Sequence, residues 1–124
     1  MGKRILVVED QEDNRRILRD LLTSVGYEII EAVTGEEGVT MAETGHPDLI
    51  LMDIQLPGID GYETTRRVRA LPALRQVPII AVTSYALSGD DVKAMEAGCT
   101  DYVPKPFSPR ALLAKIRKYL PQAV

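Results

Sequence analysis

Three runs constrain this chain most: Ile5 to Val8, Leu49 to Met52 and Ile79 to Val82 are each apolar at every position. A strand with one face in water alternates apolar and polar residues, because successive side chains point to opposite faces. A run with no polar alternate has no wet face. Such runs belong to parallel strands covered by helices on both sides. Ile29-Ile30 and Tyr102-Val103 are shorter and read as two further strands.

The segments between the runs have helical spacing. Ile17, Leu18, Leu21, Leu22 and Val25 form one stripe, and Gly26 follows as a stop. Leu112, Leu113, Ile116, Tyr119 and Leu120 form another, entered through Ser108 as N-cap and Pro109 at the first helical position. Thr34 with Glu37, Ser88 with Asp91, and Asp60 with Glu63 have capping-box spacing, and Gly98 supplies a stop after Val92 to Ala97. Strand and helix thus alternate five times, which predicts an α/β domain with a parallel sheet between two helical layers. Periodicity does not fix the strand order.

Composition narrows the function classes. The 124 residues suit a single domain, expected to span residues 1–124 with no internal repeat or linker. A net charge of −3 argues against direct contact with nucleic acid, which calls for a basic stripe. Cys99 is the only cysteine, so no internal disulfide forms, as expected of a reducing cytoplasm. Ile5 to Val8 run straight into acidic residues rather than a signal-peptide cleavage site, and no apolar stretch approaches the ~18 residues of a membrane span.

Ligands of open α/β sheets bind beyond the carboxyl ends of the strands. There the sequence places Glu9 and Asp10 after the first run, Asp53 after the third strand, Thr83 and Ser84 after the fourth, and Lys105 after the fifth. Carboxylates ~4 Å apart at an effective dielectric of ~20 repel by up to about 4 kcal/mol per pair. One ammonium cannot offset three carboxylates, so a divalent cation is expected; all-oxygen ligands completed by water favour Mg²⁺. Metal, Lys and Thr are the parts that hold a transferring phosphoryl group, and a carboxylate left free to attack it becomes an aspartyl phosphate.

The segments ILVVED, LILMDIQLPGIDGYE, VPIIAVTS and AGCTDYVPKPF resemble the receiver domains of two-component response regulators, in order, from about Lys3 to Leu120. The resemblance implies a doubly wound, flavodoxin-like fold: five parallel strands in the order 2-1-3-4-5 with five helices. Matched by position, Asp53 is the phosphoacceptor. Glu9, Asp10, Asp53 and the Gln55 backbone carbonyl hold Mg²⁺; Thr83 and Lys105 contact the phosphoryl oxygens. Thr83 and Tyr102 form the switch, the Lys105–Pro106 bond is cis, and Gln55 and Tyr85 occupy positions that tune phosphoryl lifetime. The implied partners are a sensor histidine kinase or histidine phosphotransfer protein as donor, and a downstream protein target. Glu9-Asp10 departs mildly from the two aspartates of many members. The stretch Thr83 to Pro109 is closer to cell-division and hybrid-kinase phosphorelay receivers.

Two other classes fit less well. A metal-dependent phosphohydrolase with an aspartyl-phosphate intermediate usually carries Asp-x-Asp after its first strand, where this chain has Glu9-Asp10-Gln11. A flavodoxin-type cofactor carrier needs a phosphate-cradling first loop, and Glu9 to Asp13 would repel a phosphate. The chain therefore reads as a regulator without an output domain, promoting only its own phosphorylation and dephosphorylation; an excised receiver of a hybrid kinase has the same residues. Elsewhere the plain readings prevail: His46 as a solvated loop residue, Cys99 as a small filler, and Arg66, Arg67 and Arg69 as a solvated helix face. Arg15, Arg16 and Arg19 lie on the helix that, by resemblance, docks the phosphodonor.

Overall fold

In the computed structural model, which describes residues 2–84 and 89–120, the apolar runs are strands β1 (Arg4–Val8), β3 (Leu49–Asp53) and β4 (Ile79–Thr83). The two weaker candidates are strands as well, β2 (Glu28–Ala32) and β5 (Asp101–Pro104). All pairings are parallel, in the order β2-β1-β3-β4-β5. Parallel neighbours need crossovers, supplied here by α1 (Glu12–Ser24), α2 (Gly35–Gly45), α3 (Gly61–Arg69) and α4 (Asp90–Ala97), while α5 (Pro109–Tyr119) follows the last strand.

Alternate residues of each strand feed opposite layers. Leu6, Val8, Ile50, Met52, Ile79 and Ala81 pack with Ala42 of α2, Val68 of α3 and Ala94 of α4. Ile5, Val7, Leu49, Leu51, Ile80 and Val103 pack with Leu18 and Leu22 of α1 and Leu112 and Ile116 of α5. Every residue of β3 and β4 is buried, which is why neither shows polar alternation. Burial stabilises each of the large aliphatic side chains by about 1.5–3 kcal/mol.

The expected caps form. Thr34, Asp60 and Ser108 accept hydrogen bonds from the amides of Glu37, Glu63 and Ala111. The Glu37 carboxylate in turn accepts from the Val33 amide, one residue before the cap. Gly98 ends α4 at φ +114°, a left-handed conformation that glycine adopts without a Cβ clash. Ser88 lies outside the described residues, so its expected capping box with Asp91 does too; the N-cap of α4 is Gly89.

Two readings of side chains need correction. Ile17 is 53% exposed rather than part of the buried stripe of α1, because it sits at the edge of that stripe and turns toward the β5–α5 loop. Arg69 is not on a solvated face. Its guanidinium donates to the carbonyls of Leu74 (2.8 Å), Val77 (2.6 Å) and Gly98 (2.8 Å), to that of Arg75 and to the Thr100 hydroxyl. It ties the end of α3 to the end of α4 and the start of β5. Arg66 and Arg67 are exposed and pair with Glu63, as expected.

The edge strand β5 is fastened to α5 through Asp101. Its carboxylate accepts from Lys115 Nζ (2.8 Å), from the Tyr119 hydroxyl (2.8 Å) and from the Tyr102 amide (2.8 Å). Burial pushes the Asp101 carboxyl up, but these donors outweigh it and hold its pKa below the ordinary aspartate value. A depressed carboxylate stabilises the fold above its unfolded pKa, near 3.9, and loses that contribution as pH falls through the lower folded value. Asp101→Asn is therefore expected to destabilise the domain by about 1–2 kcal/mol at pH 7. In urea titrations the gap to wild type should close as pH drops below ~3.9; a gap unchanged down to pH 3 would contradict the ionic role.

Candidate functional site

The strand order reverses between β1 and β3, which leaves a crevice beyond their carboxyl ends because the crossovers leave in opposite directions. Glu9 and Asp10 follow β1, and Asp53 is the last residue of β3. One carboxylate oxygen from each of the three lies within 4.8 Å of the others. Glu9 and Asp53 are each only 3% exposed, so their repulsion is weakly screened by water.

Lys105 reaches into this cluster from the end of β5. Its Nζ lies 3.2 Å from Asp53 Oδ1 and 3.3 Å from Glu9 Oε1. The Lys105 amide bonds the Thr83 carbonyl (2.7 Å), which ties this position to the end of β4; the following peptide to Pro106 is cis, as the sequence resemblance implies. Burial works against the Lys105 charge, but Asp53 and Glu9 outweigh it and raise its pKa, so the ammonium is fully charged at neutral pH. Burial also raises the Glu9 pKa; the Gln11 amide pulls it back, Asp53 adds to the rise, and Lys105 opposes it. One cation against three carboxylates leaves the crevice short of positive charge. Its all-oxygen donor set fits a hard divalent cation.

Neighbouring residues hold these side chains in place. The Gln11 amide bonds Glu9 Oε2 (3.1 Å), and the Gln55 amide bonds Asp53 Oδ1 (3.1 Å). Arg15 donates to the carbonyls of both Glu9 (3.0 Å) and Asp10 (3.1 Å) and pairs with Glu12 and Glu31. Arg15 is thus a brace for the acidic loop, a role its place on α1 did not suggest. Arg19 pairs with Glu31, and the more exposed Arg16 pairs with Asp13.

Gly61 sets the floor. A Cβ there would stand 2.3 Å from the Asp53 carbonyl oxygen and 2.6 Å from Ile54 Cα, so only glycine lets α3 start directly against the end of β3. The signal was legible in principle: a glycine just after the Asp60 cap, where a helix former would otherwise be preferred.

On the far side, Thr83 ends β4, fully buried. The Gln55 side chain spans the gap between loops, donating from Nε2 to Thr83 Oγ1 (3.2 Å) while its Oε1 accepts from the Ser84 amide (3.4 Å). The sequence suggested a metal-facing carbonyl for Gln55; this side-chain bridge is additional. Tyr102 pairs in register with Ala81, two residues before the pair Thr83–Pro104. Tyr85 lies outside the described residues. The structure therefore brings Glu9, Asp10, Asp53 and Lys105 into one cluster, and links Thr83 to it through Gln55.

The response regulator receiver domain model matches residues 5–117, and the chain belongs to that family: it is a receiver domain of two-component signalling. It is 42% identical to the polar-differentiation response regulator DivK of Brucella ovis, over 99% of this chain and 100% of that one. Its fold superposes with a TM-score of 0.91 on the receiver domain of a sensor histidine kinase from Pseudomonas aeruginosa, 39% identical, over 98% of this chain and 100% of that one. That structure carries a magnesium ion coordinated in its active-site cleft. A chemotaxis response regulator of Vibrio cholerae, 26% identical, superposes equally well (0.91), over 96% of this chain and 99% of that one.

Replacing Asp53 by Asn removes two repulsions and one attraction while keeping the oxygen that accepts from Gln55. Asp53→Asn is expected to gain roughly 1–2 kcal/mol in metal-free buffer. That gain would raise Tm by about 5 °C. A lower Tm than wild type in chelator-treated thermal melts would show that the Lys105 pairing outweighs the repulsion.

Proposed function

We propose that this receiver domain is a phosphoacceptor switch of a phosphorelay, with Asp53 taking the phosphoryl group from a phosphohistidine of a sensor kinase or histidine phosphotransfer protein. The observation that supports this most is the position of Asp53: a buried carboxylate at a strand end, 3.2 Å from the Lys105 ammonium and in contact range of Glu9 and Asp10. Its Oδ1 accepts from both Lys105 and the Gln55 amide. Those bonds fix the carboxylate plane and leave the other oxygen to attack phosphorus.

In the reaction that oxygen forms a bond to phosphorus as the bond from phosphorus to the donor's imidazole nitrogen breaks. The imidazole leaves with the electron pair and takes up a proton. Lys105, firmly protonated, neutralises charge on the phosphoryl oxygens; the Thr83 hydroxyl, whose oxygen accepts from Gln55 Nε2, would donate its proton to them. Glu9, Asp10, Asp53 and the Gln55 carbonyl would hold Mg²⁺, which supplies further neutralisation of phosphoryl charge when bound. The donor reaches the site across a cleft of about 380 Å³ beside Lys105, lined by Asn14, Ile17, Phe107 and Pro109. The exposed Ile17 supports such a contact.

Phosphorylated Asp53 then biases a two-state equilibrium that Thr83 and Tyr102 pass to a downstream protein target. The domain, residues 1–124, acts as a regulator rather than as an enzyme on a separate substrate, in the cytoplasm. Among the described residues no helix is long and apolar enough to cross a membrane.

Intact mass after incubation with acetyl phosphate tests the reading. Wild type should gain one phosphoryl group only with Mg²⁺ present, and Asp53→Asn none; a gain in the variant would move the acceptor elsewhere. Asp10→Asn should weaken Mg²⁺ binding by about tenfold, the loss of one close carboxylate at about 1.4 kcal/mol. An unchanged affinity by titration would remove Asp10 from the metal site.

A further inference from the structure

Lys115 of α5 makes three contacts with β5, and together they surround one residue. Its Nζ donates to the Tyr102 carbonyl oxygen (2.6 Å) and to Asp101 Oδ1 (2.8 Å), and it lies 4.9 Å from the centre of the Tyr102 ring. A cation at that distance over an aromatic face is attracted by the ring quadrupole. The anchor is rigid. Asp101 Oδ1 also accepts from the Tyr102 amide, and its Oδ2 accepts from Tyr119, so the carboxylate is held by both β5 and α5.

The two kinds of contact respond differently to a turn of the ring. The Tyr102 carbonyl and the Asp101 carboxylate move with the β5 backbone, which is locked to β4 by the pairs Ile80–Asp101 and Ala81–Tyr102. The ring turns about its own Cα–Cβ bond. A turn that takes the ring off the ammonium loses that contact, while the bonds from Lys115 to the Tyr102 carbonyl and Asp101 stay in place. The contact with Lys115 therefore favours the ring orientation of this structure.

We propose that Lys115 is a positioning residue of the switch, a latch that holds the Tyr102 ring in its resting orientation and so sets how readily the phosphorylated state is reached. The proposal rests on the reading of Tyr102 as the relay residue. It assigns to α5 a contribution to the switch equilibrium at a position that touches neither Asp53 nor the carboxylate cluster. Lys115→Met keeps the length and apolar stem of the side chain but removes the charge; Lys115→Arg keeps a cation able to reach both anchor and ring.

The test uses the whole chain labelled with 3-fluorotyrosine, the Tyr102 fluorine resonance being identified by its loss in Tyr102→Phe. Mg²⁺ with beryllofluoride serves as the phosphoryl probe. In the free protein, Lys115→Met should move the Tyr102 resonance toward its beryllofluoride-bound position. It should also tighten beryllofluoride binding about two- to fivefold, the equivalent of one exposed cation–π contact. Lys115→Arg should stay near wild type in both. A Lys115→Met resonance and affinity that match wild type, while beryllofluoride moves the wild-type resonance, would overturn the latch alone. A wild-type Tyr102 resonance that beryllofluoride binding leaves unmoved would overturn the relay reading and the latch with it.

Discussion

The sheet is covered on both faces, and the rest of the molecule follows from that constraint. β3 and β4 are buried at every residue, so polar side chains have no place along them and are confined to their ends. Parallel pairing makes all five carboxyl ends lie along one edge. Chemistry therefore concentrates there: Glu9 and Asp10 after β1, Asp53 on β3, Thr83 on β4 and Lys105 after β5. The apolar layers do more than stabilise the domain, since they decide where charge can be.

That concentration leaves an electrostatic imbalance, and the imbalance is useful. Lys105 offsets part of the repulsion among three carboxylates, and burial keeps what remains from being screened. A site so arranged favours added positive charge, and Asp53 already lies beside the one ammonium that reaches it among the described residues. The cluster is kept under this stress by bonds from its surroundings. The amides of Gln11 and Gln55 and the guanidinium of Arg15 fix the carboxylates and their loops, while the absent side chain of Gly61 lets α3 close against β3.

Three polar hubs join elements of this half of the sheet. The Gln55 side chain joins the loop after Asp53 to Thr83 and Ser84, so that loop and the end of β4 are not independent. Asp101, Lys115 and Tyr119 join β5 to α5 around Tyr102. Arg69 pins the end of α4 and the start of β5 to α3 through the Gly98 carbonyl and the Thr100 hydroxyl. The segments around β3, β4 and β5 thus each carry directional bonds to neighbouring elements.

The sequence by itself determined the element types, the caps at Thr34, Asp60 and Ser108, and the residues of the strand-end cluster. These depend on local rules: apolar periodicity, cap chemistry within a turn, and the position of a residue at the end of a run. The strand order was legible only through resemblance, since periodicity carries no information about which strands are neighbours. Tertiary structure alone decided the roles of Arg15, Arg69, Gln55 and Lys115. Each is a long side chain with partners in other elements, and helical spacing cannot tell a solvated arginine from one that closes on five acceptors in two other segments. Ile17 makes the same point in reverse: its spacing fits the core, yet it lies at the stripe's edge beside a cleft. Local pattern fixes what a segment is, and packing between segments fixes what its longest side chains touch.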